Sequence, residues 1–277
     1  MITLPGLIDI QTHIGAAKSE ALEDWSSLTA AALAGGFTTV LAMPDAAPMV
    51  ADGATLTETC QSAAETAVCD FGQLVAATAG NARNTADFQA HAAAILLHSP
   101  GLEEDSVLKN MHAMNRVFST WTRKKPICVD ADAQEIGTAL FTAKVHNKPI
   151  HIFNVSTAEQ IEMIRESKLL GTKVSCSVTP HHLFLSQKHI QTLPEEGKAS
   201  FPPLGTEEDR RILWKNLDLI DCFASNHRPY RPLDGSEEQL PVSGYPGLET
   251  ALPLYLHAVQ GGFLTLKDLI ARCVTNP

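Results

Sequence analysis

Short apolar, β-branched runs alternate along the chain with longer stretches of helical periodicity, the arrangement of βα units around a parallel sheet. Eight runs read as strands: "LIDIQTHI", "TTVLAMP", "FGQLVAATA", "AAAILLHS", "PICVDAD", "PIHIFNVS", "KVSCSVTP" and "IDCFASNH". Eight parallel strands close a barrel, so the pattern predicts an α/β fold of the (β/α)8 TIM-barrel type. The segment "SEALEDWSSLTAAALAGG" places Leu22, Trp25, Leu28 and Ala32 on one helical face. It opens on Ser19 as an expected N-cap, carries Glu20 and Glu23 in its first turn, and stops at Gly35 and Gly36. "TAEQIEMIRESKLLG" has the same logic, from a Ser/Thr cap to Gly171, and "TEEDRRILWKNLD" begins with acids and ends near Lys215. Residues 183 to 206, with "LPEEGKASFPPLG", read instead as a long Pro/Gly-rich excursion on the side where a barrel carries its active site. No repeat, low-complexity tract or linker divides the chain, so residues 1–277 are expected to form one barrel domain.

Composition narrows the function classes. Of 277 residues, 44% are hydrophobic and 19% charged, enough apolar content for a barrel-sized core. Lys plus Arg number 21 against 31 Asp plus Glu, a formal net charge of −10 with no basic block, which argues against nucleic acid or an anionic membrane as partner. Neither a signal peptide nor an apolar run of about 18 residues is present, and a soluble, cytosolic protein is the expectation. The six cysteines (Cys60, Cys69, Cys128, Cys176, Cys222, Cys273) are scattered and form no C-x-x-C pair, so they read as free thiols.

The strand ends are where such a barrel keeps its chemistry. They supply Gln11 and His13; Asp45; Leu96, Leu97 and His98; Asp130 and Asp132; Asn154; His181 and His182; Asn226 and His227. Polar residues cluster there, but a two-metal hydrolase needs imidazole or anionic ligands and an anionic bridge to offset four positive charges. Gln11, Asn154 and Asn226 are neutral amides, weak ligands that accept no proton near neutral pH. One alternative is a mononuclear site built from His13, Asp130, Asp132 and His181 or His182; the other is that these groups cap helices and solvate the barrel mouth. His91, His112, His146, His151, His189 and His257 have no partners at ligand spacing. Nucleophile elbows and phosphate-binding glycine loops are absent.

These residues carry a family resemblance over essentially the whole chain. "LPGLIDIQTHI", "TAAALAGGFTTVLAMPDAAP", "VTPHHLFLS", "LWKNLDLIDCFASNHRP" and "GYPGLETALPL" resemble dihydroorotase, a metal-dependent amidohydrolase of pyrimidine synthesis. They are most like the dihydroorotase-type domain of the eukaryotic multifunctional polypeptide that also holds carbamoyl-phosphate synthetase and aspartate transcarbamoylase. The resemblance implies that the first-strand His-x-His has become Gln11 and His13, and that the arginine gripping the substrate carboxylate falls on Gly15. By the same correspondence the substrate-binding asparagine falls on Asp45, the bridging carbamylated lysine on Leu96, and the next two ligand histidines on Asp130 and Asn154. The catalytic aspartate falls on Asn226 and a loop arginine on Phe201. No lysine occurs from residue 19 through 108, so the bridge is missing however the strand is aligned.

The resemblance thus implies a degenerate, fungal-type barrel without catalytic residues, metal or cofactor, serving as linker or scaffold between the synthetase and transcarbamoylase domains of one polypeptide. Two alternatives remain at this point: an amidohydrolase with a rebuilt mononuclear site, and a stand-alone homologue stabilising a separate aspartate transcarbamoylase. Met1 stands just before the "LPG" entry and the chain stops at "TNP", which suggests a domain excised from a longer chain, without the small β-subdomain that flanks many relatives. Homodimeric and larger assemblies are both compatible with the sequence.

Overall fold

The computed structural model describes residues 2–14, 23–46, 48–98, 106–122, 124–193, 202–229 and 245–277. Among the described residues nine short strands occupy the eight predicted positions: β1 (Leu7–Thr12), β2 (Phe37–Ala42), β3 (Asp70–Gln73), β4 (Val75–Ala76), β5 (Ile95–His98), β6 (Ile127–Asp130), β7 (Ile150–Ile152), β8 (Val174–Val178) and β9 (Cys222–Phe223). All neighbouring pairs are parallel, in the orders β1-β2-β3 and β4 through β9. The third predicted strand is divided at Leu74, where the Gln73 side-chain amide lies within hydrogen-bond distance of the carbonyls of Ala42, Met43 and Leu74. Closure comes from a parallel bridge between Thr12 and His227, with the His13 amide donating to the His227 carbonyl at 2.9 Å.

Alternation along the strands sorts the apolar residues into two layers. Leu7, Val40, Ile95, Leu97, Ile127, Val129, Ile150 and Ile152 face outward into the core shared with the helices. Ile10, Met43, Leu74, Leu96, Cys128, Phe153 and Cys222 fill the bore. One irregularity matters for the site. Asp9 pairs with Val40 and Thr12 with Ala42, so three steps along β1 match two along β2. This bulge resets the alternation: Ile10 stays in the bore, Ile14 packs on the outer core, and His13 opens on the barrel mouth.

The helices are α1 (Trp25–Ala34), α2 (Gly53–Thr66), α3 (Met111–Thr120), α4 (Ala133–His146), α5 (Ala158–Leu169), α6 (Pro180–Phe184), α7 (Glu207–Lys215), α8 (Leu248–Gln260) and α9 (Leu266–Ile270). The first starts later than its periodicity predicts. Asp24, not Ser19, is its N-cap, in a reciprocal capping box with Ser27. Trp25, Leu28 and Ala32 are buried as expected; Ser19, Glu20 and Leu22 lie outside the described residues. Thr157 and Thr206 cap α5 and α7, each contributing about 1 kcal/mol. The excursion after β8 is partly helical: α6 is followed by a 3-10 stretch over Gln187–Thr192. All six cysteines are free thiols, with Cys128, Cys176, Cys222 and Cys273 buried. Among the described residues no helix is long and apolar enough to cross a membrane.

Asp9 holds the closing seam. Fully buried, its carboxylate accepts the amides of Gln11 at 3.0 Å and Ser225 at 3.2 Å. Burial pushes its pKa up to about 6, against the opposing pull of those hydrogen bonds and of His227. A raised folded-state pKa gives stability that is complete below the unfolded value near 3.8 and lost as pH rises through 6. Between pH 4 and 7 wild type should therefore lose about 3 kcal/mol relative to Asp9→Asn, at 1.36 kcal/mol per pH unit. Urea unfolding of both proteins across that window checks this; parallel pH profiles would contradict it.

Candidate functional site

The polar residues of the strand ends assemble into two linked clusters at the C-terminal mouth. In the first, His13 Nδ1 lies 2.5 Å from Asp45 Oδ2 and His13 Nε2 lies 2.9 Å from Asn226 Oδ1. Arg228 Nη2 stands 3.6 Å from the same Asp45 oxygen. Burial opposes ionisation of Asp45, but His13 and Arg228 outweigh it and hold the carboxyl well below the usual carboxylate range. Burial, with the Arg228 cation, pulls His13 below its ordinary pKa. Asp45 Oδ2 thus faces Nδ1 and the Asn226 amide oxygen faces Nε2. In this arrangement both imidazole nitrogens are committed to protein groups.

In the second cluster Asp130, 2% exposed at the end of β6, accepts from Asn154 Nδ2 at 3.0 Å and pairs with His98 Nδ1 at 3.5 Å. Burial alone would lower the His98 pKa; the Asp130 carboxylate outweighs it and raises it. Asp130 is correspondingly lowered, burial being overcome by His98 and by the Asn154 hydrogen bond. The two asparagines also shape the backbone. Asn154 and Asn226 sit at φ +55° and +49°, a left-handed conformation that asparagine tolerates better than most side chains.

Other candidates have structural partners. Asp132 caps α4 by accepting the Glu135 amide. His182 donates Nε2–H to the Pro202 carbonyl at 3.2 Å and accepts from the Thr179 hydroxyl at 2.7 Å, and burial takes its pKa to about 4. His181 stacks on Tyr245 with ring centroids 4.5 Å apart. His227 gives its Nε2–H to Glu23 at 3.0 Å. The mononuclear set of His13, Asp130, Asp132 and His181 or His182 is therefore not brought together. Among the described residues no group of three or more His, Cys, Asp or Glu is arranged to hold a metal.

Gln11 is fully buried, yet neither its amide nitrogen nor its carbonyl oxygen has a partner among the described residues. Leu96 is 3% exposed and, with Met43, gives the mouth an apolar wall. Gly15 and Phe201 lie outside the described residues. These donors do not suit a family-type metal centre: three neutral amides (Gln11, Asn154 and Asn226), an aliphatic side chain, one doubly engaged imidazole and a carboxylate already paired with His98 and Asn154. Arg228 and Glu23 were not singled out as site residues by sequence reasoning. Arg228 follows Asn226 by two positions, a spacing that offered a signal; Glu23 reads as an ordinary first-turn acid, and only the fold carries it to His227.

Beside these clusters lies a pocket of about 400 Å3 lined by His13, Met43, Asp45, Thr78, Leu96, His98 and Val107 among others. A parallel (β/α)8 barrel with its polar cluster at this end is a fold of the amidohydrolase class, and the solved structures similar to this chain share it. Within that class the sequence relatives are specific. The chain is 35% identical over 286 residues to a dihydroorotase of Pyrococcus abyssi, covering all of this chain and 68% of that protein. It is 38% identical over 277 residues to the multifunctional protein CAD of Squalus acanthias, of which it spans 12%. A solved structure described as the inactive dihydroorotase-like domain of a CAD-like multifunctional protein from Chaetomium thermophilum matches with a TM-score of 0.83 and 29% identity, covering 99% of this chain and 78% of that one. No protein-family model matches the chain. The chain belongs to the dihydroorotase family.

Proposed function

We propose that this barrel is a non-catalytic member of its family, a pseudo-dihydroorotase whose role is structural. The observation that carries the reading is the chemistry of the mouth. Leu96 stands at the position that the resemblance gives to the anionic bridge, and the retained His13 spends both nitrogens on Asp45 and Asn226. A hydrolytic centre needs a ligand set able to activate water and a base to take its proton. Gln11, Asn154 and Asn226 supply neither. The Chaetomium domain described as inactive gives the reading a precedent within the same family.

The relatives that are multifunctional proteins extend the proposal. The barrel serves as a linker or scaffold within a polypeptide that carries carbamoyl-phosphate synthetase and aspartate transcarbamoylase, and genuine dihydroorotase activity is supplied by a separate protein. Residues 1–277 act as one module of that assembly, placed in the cytoplasm. The test is turnover. Purified chain given dihydroorotate or carbamoyl aspartate, with zinc present, should convert neither above buffer background. Conversion that scales with protein concentration would reject the reading.

A further inference from the structure

We propose that Asp45 is a built-in counter-ion for Arg228, closing the mouth pocket to carboxylates and leaving it to small, uncharged ring compounds with an amide-type edge. The inference rests on the reading of a retained but non-catalytic mouth, and concerns what that mouth still binds.

A pocket of about 400 Å3 survives the changes in the site and falls within the range of small-molecule clefts. One side is apolar, from Met43, Leu96 and Val107, and suits the body of a ring. Thr78 and Ser106 bring hydroxyls that can donate to or accept from an amide edge. The charged groups decide the ligand class. Arg228 is the guanidinium of this cluster, and its Nη2 is paired with Asp45 Oδ2 at 3.6 Å. His98, which lines the pocket, is paired with Asp130 at 3.5 Å. Among these described groups, each cation has its own carboxylate.

A carboxylate entering here meets the Asp45 carboxylate on the pocket wall, and the Arg228 cation behind it is already neutralised by that same Asp45. Like charges placed together and cations already neutralised give no return for stripping water from the incoming anion. An uncharged ring avoids that cost and gains the apolar wall. Asp45 is thereby a specificity-determining residue: its negative charge sets which ligands the pocket refuses.

The test uses a matched pair of probes, dihydrouracil and dihydroorotate, which share a ring and differ by one carboxylate. Isothermal titration of the chain should give at least tenfold tighter binding of dihydrouracil. Asp45→Asn releases Arg228 and should raise dihydroorotate affinity at least tenfold; adding Arg228→Gln should remove that gain. Ala77→Phe, or Ala79→Trp if the first does not fold, occupies the pocket and should abolish dihydrouracil binding. Equal or tighter binding of dihydroorotate by wild type, binding of neither probe, or an Asp45→Asn variant with unchanged preference would each overturn the proposal. Hydrolysis is followed in the same titrations. Ring opening of a probe would reject the non-catalytic reading, whereas lost selectivity without hydrolysis would reject only the counter-ion role.

Discussion

Gln11→His leaves the chain without stoichiometric zinc and without measurable dihydroorotate hydrolysis. The substitution rebuilds the His-x-His pattern at the end of β1, and a ligand lost alone would be recovered in this way. Here it adds one imidazole to a mouth whose other positions hold Leu96, Asn154 and Asn226, and whose second histidine is bonded on both ring nitrogens. No anionic bridge appears, and no carboxylate takes the place of Asn226 to accept a proton from water. Enzymes typically accelerate their reactions by about a million-fold or more, so the expected deficit is at least about six orders of magnitude against a working relative. Zinc analysis and a hydrolysis assay on the variant check it. Recovery of both from this single change would show that the correspondence of the other strand ends is wrong.

The second large effect is on stability. Asp130→Ala should destabilise the barrel by about 2 kcal/mol, because it removes the acceptor of the buried Asn154 amide and the anion beside His98. Asp132, two residues on, is the contrasting case. It is exposed and caps α4, so Asp132→Ala should cost about 1 kcal/mol. Urea denaturation of both variants measures the difference. A scaffold held by protein groups also predicts that a chelator leaves the wild-type unfolding midpoint where it was. Equal costs for the two substitutions would remove the Asp130 cluster from the account of what ties β5, β6 and β7 together.

Much of this architecture was legible in the alternation of apolar and polar positions. All eight predicted runs contain strands, because strands buried on both faces read as short continuous apolar runs, and the runs of helical period supply the outer layer. The misses are local competitions between side chain and backbone. Asp24 caps α1 through its pairing with Ser27, and Gln73 turns its side-chain amide onto neighbouring carbonyls where the third strand divides. The site was legible as a set of strand ends, but its wiring was not. That His13 reaches both Asp45 and Asn226 depends on a bulge in β1 and on closure against β9, which join residues 213 positions apart. Arg228 gains its meaning only beside Asp45, and Glu23 only beside His227. Gln11 has the opposite history: the pattern marks it as half of a clamp, while its buried amide bonds to nothing among the described residues.

Whether the mouth still forms a metal centre is read from the zinc content of wild-type protein purified without chelator and then equilibrated with zinc and desalted. A mouth of neutral amides and paired groups gives a zinc-to-protein ratio near zero. A ratio of one or two that survives desalting would contradict it.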